Sequence, residues 1–216
     1  MVGAGAAFVV LCGRVARGVH GPGELALVGL AGLVGWVLAD LVSGVVHWWA
    51  DRIASEDTPL FGPTFVRPFR EHHEDPLGIC RNDWVETNGN TCIVMLPFLL
   101  AACFWLPGQP LGGAPLFISS AFVSLALWSG LTNQIHRWAH EPRAPRVVRM
   151  LQGSGLLLSS GHHARHHTPP FARHYCITSG WLNPLLDSLG VFPALEGLLV
   201  RPLRGASPRR AGRTAP

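Results

Sequence analysis

The sequence predicts an all-α fold, an integral membrane helical bundle with a histidine-rich cytoplasmic di-metal site. Three observations carry this expectation. The 216-residue chain is 48% apolar and only 14% charged, whereas soluble domains average about 25% charged. Apolar segments recur at 25–49, 91–106 and 116–135, and about 20 apolar residues suffice to cross a bilayer core. Histidines gather beside these segments. His47 ends the first, His136 and His140 close the third, and Gly161–His167 (GHHARHH) holds four in seven residues.

The formal net charge is +4 and the pI about 9.1. All 17 basic residues are arginine. Arginine beside apolar segments marks cytoplasmic loops, so no nucleic-acid partner is expected. Cys12, Cys80, Cys92, Cys103 and Cys176 lie singly, without CxxC, which argues against an iron–sulfur cluster or zinc ribbon. The chain divides into an N-terminal segment 1–24, a membrane domain 25–200 and an Arg-, Pro- and Gly-rich tail 201–216, whose composition predicts disorder.

Residues 1–10 are apolar but few, with Arg14 and Arg17 behind them. A signal peptide has its charge in front, so a short membrane-associated helix is expected instead. His20, in GVHGPGE, falls in a turn and is expected to be solvated. In the first spanning helix Asp40, Gly44, His47 and Asp51 follow i, i+4, i+7, i+11, one helical face. Ionisable groups in such a segment are costly and mark function. His47 is expected as a metal ligand and Asp51 as a ligand or a partner to one. Asp40 either orients a ligand or hydrogen-bonds another helix.

Residues 52–90 read as a polar loop with local structure. Its FREHHEDP stretch (69–76) holds His72 and His73, about 100° apart on a helix, so they address two metals, or one metal and a supporting group. Segments 91–106, containing Pro97, and 116–135 form a helical hairpin joined by an uncharged turn at 107–115. HRWAH follows, with His136 and His140 one turn apart on one face, and Glu141-Pro142 ends the helix. Val147–Ser160 reads as an amphipathic interfacial stretch. His163, His166 and His167 then give HxxHH spacing, with His162 pointing off that face and Thr168-Pro-Pro stopping the helix. His174 is a further candidate ligand. Trp181–Val200, broken by Pro184, Gly190 and Pro193, reads as a pair of re-entrant or interfacial helices.

Arg52, Arg67, Arg70, Arg81 and every arginine after residue 136 fall on the histidine side of this topology. The positive-inside rule makes that side cytoplasmic, in a multi-pass protein of a bacterial inner membrane. Arg14 and Arg17 conflict with this unless the first helix re-enters. Eight or more histidines from four places exceed the three or four protein ligands of one zinc and suit two metals. Nitrogen-rich sites with open positions bind and activate dioxygen at Fe(II). Two iron ions with O2 as co-substrate, acting on the C–H bonds of a lipid chain, are therefore expected. The chain has no GxGxxG, CxxCH or cysteine cluster, which implies an external electron donor.

The stretches DLVSGVVHWWAD (40–51), FREHHEDP (69–76), NQIHRWAH (133–140), HARHH (163–167) and HYCITSGWLN (174–183), in that order, resemble the Kua/CarF lipid desaturase family over residues 25–190. The resemblance implies a membrane di-iron oxidoreductase of plasmanylethanolamine desaturase type. Such an enzyme forms the vinyl-ether bond of plasmalogens from a 1-O-alkyl ether phospholipid. It uses O2 and electrons from a cytochrome b5-like or other small redox carrier. The family's histidines fall on His47, His72, His73, His136, His140, His163, His166 and His167, and His174, Asp51, Asp40 and His162 are possible additional ligands or supports. A similar plastid branch, which desaturates an acyl chain, lacks the counterpart of His136, so the resemblance favours ether lipid here. An acyl-lipid desaturase or hydroxylase with the same metals, and a non-enzymatic metal-binding membrane protein, are the rival readings.

Overall fold

The computed structural model describes residues 1–106 and 112–205. It is 73% helical, with no strand among the described residues. Helix α1 (Val2–Ala16) is followed by α2 (Pro22–Arg52). Then come a π-helical turn (Gly62–Val66), α3 (Arg67–Glu74) and a 3-10 turn (Gly78–Arg81). Helices α4 (Trp84–Trp105) and α5 (Gly113–His140) make the hairpin. The C-terminal part carries α6 (Arg146–Gly153), α7 (Ser160–His163), α8 (Asn183–Ser188) and α9 (Val191–Gly205).

Helices α2, α4 and α5 are long and apolar enough to cross a membrane. α2 begins with Pro22 in its first turn and ends with Arg52 in its last, both favourable at those termini. Its 31 residues rise about 46 Å, well beyond the roughly 30 Å hydrocarbon core. Leu30, Leu33 and Val42 of α2, and Ile93, Phe98 and Phe104 of α4, face outward. α2 packs along α5 through small residues. A Cβ on Gly35 would collide with the Ala121 carbonyl, Ser124 and the Leu125 amide, so the two backbones approach as closely as they do only because Gly35 has no side chain.

α4 starts at Trp84, seven residues before the expected 91. Asp83 accepts from the Glu86 amide and Glu86 accepts from the Asp83 amide, each at 2.8 Å. This capping box starts the helix while its sequence is still polar. The expected loop 52–90 is therefore largely helical. Arg70 pins it back to α2 by donating to the Ala50 and Ala54 carbonyls at 3.2 and 2.7 Å. Residues 107–111 of the expected turn lie outside the described residues.

α1 has 15 residues, about 22 Å, and packs through Ala4, Ala7 and Leu11 on Leu99, Ala102 and Ala126. Arg14 donates to the Cys103 and Leu106 carbonyls at 2.7 and 2.8 Å. It thus satisfies orphan carbonyls at the end of α4 and sits at the end of the bundle away from the histidines.

The expected interfacial stretch 147–160 is helical over its first residues. α6 stops at Gly153, the chain turns at Gly155 (φ +79°), and Leu157 and Leu158 enter a core with Ile135, Ala139, Ala144, Val148 and Ile177. α8 and α9 match the expected broken helical pair. α9 runs through Gly205, so the first five residues of the expected tail are helical. Residues 206–216 lie outside the described residues.

Candidate metal centre

The histidines meet at one end of the bundle. α2 brings His47, α3 brings His72 and His73, and the last turn of α5 brings His136 and His140. α7 and the turn after it bring His163, His166 and His167. α7 is short because its own signals are local. Ser159 accepts from the His162 amide at 3.2 Å, and the His166 and His167 amides both bond the His163 carbonyl.

Two nests result. His72, His136, His140, His163 and His167 form one; His47, His72, His73 and His166 form the other. Within each, one ligand atom per residue lies within 4.8 Å of the rest. His72 belongs to both, and together they take in all eight expected histidines. His163 Nε2 is 2.9 Å from His136 Nε2, 2.9 Å from His140 Nε2 and 3.1 Å from His167 Nε2. In the second nest His73 Nε2 and His166 Nε2 are 2.9 Å apart.

Hydrogen bonding does not account for this convergence. A neutral imidazole nitrogen carries either a proton or one lone pair, so His163 Nε2 has no way to satisfy three nitrogens at once. A shared cation does. Ligands about 2.1 Å from an ion and at right angles stand about 3.0 Å apart, as observed. The His72 Nε2 and His47 Nε2 atoms are buried without hydrogen-bond partners. So are both carboxylate oxygens of Asp51, whose Oδ2 lies 3.4, 3.6 and 3.4 Å from Nε2 of His47, His73 and His166. A buried carboxylate without donors requires a compensating charge. The donor set therefore fits metal ions.

Backbone carbonyls set the tautomers. The Nδ1 of His47 donates to the Tyr175 carbonyl at 3.1 Å and that of His166 to the Arg173 carbonyl at 2.8 Å. His72 Nδ1 likewise donates to the Phe69 carbonyl. Each bond leaves the Nε2 lone pair facing the nest. Burial, with neighbouring imidazoles adding to it, pushes His72 and His163 well below the ordinary histidine range and His73 and His167 down to about 3. The rings are neutral and ready to coordinate. Phe171 stacks on His73 with ring centres 4.7 Å apart. These carbonyls and Phe171 were missed from the sequence, since a main-chain acceptor leaves no mark in residue type.

Asp40, His174 and His162 lie outside the nests. Asp40 touches no histidine of the nests. It accepts from the Ser179, Gly180 and Leu182 amides at 2.8, 2.9 and 3.1 Å, so the helix-helix alternative gives way to a clamp on a returning loop. His174 does not return to the nests. It is held at φ +59°, with its Nδ1 3.3 Å from His162 Nε2 and its Nε2 3.5 Å from Asp187. His162 also stays outside, 3.1 Å from the Asn183 amide nitrogen. The chain curls here because Asn183 bonds both the amide and the carbonyl of Cys176, turning these rings away. His20 is exposed.

Residues 36–211 match the family described as the lipid desaturase domain. The chain belongs to the lipid desaturase family. The relatives imply an oxidoreductase, and three helices of this chain are long and apolar enough to cross a membrane. It is 42% identical over 168 residues to the plasmanylethanolamine desaturase of Myxococcus xanthus, covering 77% of this chain and 58% of that one. It is 41% identical over 198 residues to plasmanylethanolamine desaturase 1 of Mus musculus, covering 90% and 71%. Fatty acid desaturase 4, chloroplastic, of Arabidopsis thaliana is 38% identical over 170 residues, covering 77% and 50%. The chain thus spans little more than half the length of the bacterial relative and half that of the plant one. No solved structure matches this chain.

Proposed function

We propose that the chain is a multi-pass membrane plasmanylethanolamine desaturase that converts a 1-O-alkyl ether phospholipid to its vinyl ether. The reaction is –O–CH2–CH2–R + O2 + 2e⁻ + 2H⁺ → –O–CH=CH–R + 2H2O. Two electrons come from the C–H bonds and two from an external small redox protein. The reading is carried by the convergence of eight histidines into two nests that share His72.

In this reading His136, His140, His163 and His167 hold one iron and His47, His73 and His166 the other, with His72 beside both and Asp51 balancing charge in the second nest. When bound, the irons supply the reduction of dioxygen that oxidises the substrate. The chain's residues do the rest. The Phe69, Tyr175 and Arg173 carbonyls keep the ligating nitrogens deprotonated. Burial of the rings excludes bulk water from the nests. The outward apolar faces of α2 and α4 support contact with bilayer lipid, and the arginine distribution supports a histidine end toward the cytoplasm.

The test is expression in a plasmalogen-free host fed alkyl-ether phospholipid, with acid-labile vinyl ethers as the readout and iron content measured on the purified protein. Their appearance supports the reading. New acyl double bonds in their place would transfer the chain to the acyl-lipid branch, which the likeness to the Arabidopsis protein keeps as the second reading.

A further inference from the structure

A cavity of about 430 Å³ opens against the nests from the side of α3, the 3-10 turn and the adjoining ends of α4 and α5. Two of its walls are His72 and His136. Its lining is mixed, with Phe65, Phe69 and Ile79 on one hand and a set of polar and charged side chains on the other. Asn133, Thr87 and Asn90 line it together with Glu71, Arg81 and Glu86. Filling the polar part of the wall with an alkyl chain would leave its groups desolvated and unpaired. Its volume is at the small end of the roughly 300–1,000 Å³ of ligand sites, enough for the head end of a phospholipid but not for its two chains.

The polar groups are not all consumed within the fold. Asn133 stands one turn before His136 on α5 and donates from Nδ2 to the Thr87 carbonyl and Thr91 hydroxyl at 3.2 and 2.9 Å, which leaves its carbonyl oxygen to accept. Arg81 is paired with Asp75, and Glu86 accepts from the Asp83 amide. Glu71, adjacent to His72, has no ion-pair partner among the described residues. Three carboxylates (Glu71, Asp75, Glu86) against one guanidinium (Arg81) leave the cavity net acidic. His72 and His136, which line the cavity, also belong to the nests, so a ligand held there lies beside the metal-binding residues.

We propose that this cavity holds the polar end of the substrate, with an ammonium head group at Glu71 and the glycerol oxygens at Asn133, so that oxidation falls on the first carbons beyond the ether oxygen. The proposal rests on the desaturase reading above and deepens it. A lipid anchored by its head beside His72 and His136 presents carbons a few bonds away, not those in mid-chain. The same cavity gives Glu71 a part in telling ethanolamine from choline, because a primary ammonium donates hydrogen bonds to a carboxylate and a quaternary one does not.

The test uses the full metal-loaded chain in detergent and the chainless probe sn-glycero-3-phosphoethanolamine. Calorimetry should show it binding more tightly than glycerophosphocholine, and Glu71→Gln, an exposed change with iron content checked as intact, should weaken it about tenfold, the loss of one charge-assisted hydrogen bond. The same variant should raise KM for the ethanolamine ether lipid with little change in kcat, and Asn133→Leu should weaken both probes. If the probe does not bind, or binds wild type and Glu71→Gln equally while vinyl ethers form normally, the cavity assignment falls and the desaturase reading stands. If the probe binds as expected but no ether lipid is oxidised, the desaturase reading falls instead.

Discussion

Asp51 Oδ2 lies 3.4 Å from His166 Nε2 although 115 positions separate the two residues. The carboxylate is buried, accepts no hydrogen bond, and stands at nearly the same distance from His47, one turn back on α2.

That position makes Asp51 a support of the second nest in particular. Asp51→Asn keeps the shape and removes the charge. We expect iron affinity to fall about 10–100-fold, as for other groups that brace metal ligands. The loss should be confined to about half of the bound iron, read by titrated chelation and elemental analysis. Full retention of both irons would remove Asp51 from the site.

His72 stands in both nests, whereas His140 stands in one. His72→Ala is expected to abolish turnover and to deplete both irons, and His140→Ala to abolish turnover with partial iron retained. His20→Ala, at an exposed turn, should stay within about 0.5 kcal/mol of wild type in stability and keep full activity. Near-normal turnover in either nest variant would break the assignment.

Acid should open the iron-free protein. The folded chain holds His73 and His167 neutral down to about pH 3, whereas free histidine takes up a proton near pH 6.5. The unfolded state then binds more protons between those values, so stability falls as pH drops from about 6.5 toward 3 and is level above. The melting temperature of the apo protein against pH reads this directly, and a flat profile from 7 to 4 would contradict it.

Asp40 clamps three loop amides. Asp40→Ala leaves them buried and unpaired, at about 1–3 kcal/mol each. We expect a strong loss of thermal stability, with the 174–183 loop released and the Tyr175 carbonyl withdrawn from His47. Hydrogen exchange at Ser179 and Gly180 measures it, and unchanged protection there would refute the clamp.

Much of the core of this site was legible in the sequence because its signals are periodic. The i, i+4 pair His136 and His140, the face joining His47 to Asp51 and the three apolar runs each follow from helical repeat alone. What escaped was set by contacts distant in the chain. The fate of Asp40 depends on amides 139 to 142 positions away. His174 was a candidate ligand by residue type, but Asn183 folds its segment into a curl that pairs it with His162 and Asp187. The start of α4 was misplaced because hydropathy, not the Asp83–Glu86 cap, was used to find it.

The latches from the C-terminal part onto α2 also bear on the order of events during synthesis. Asp40, Ser43, Gly44, His47 and Arg52 leave the ribosome early, yet their partners Ser179, Ile177, Cys176, Tyr175 and Glu196 follow 128 to 144 positions later. The cradle stays unbraced until those partners have emerged. Iron delivery should accordingly be a post-translational step. A nascent chain arrested near residue 170 is expected to be inserted and iron-free, and iron already bound at that length would reverse the order.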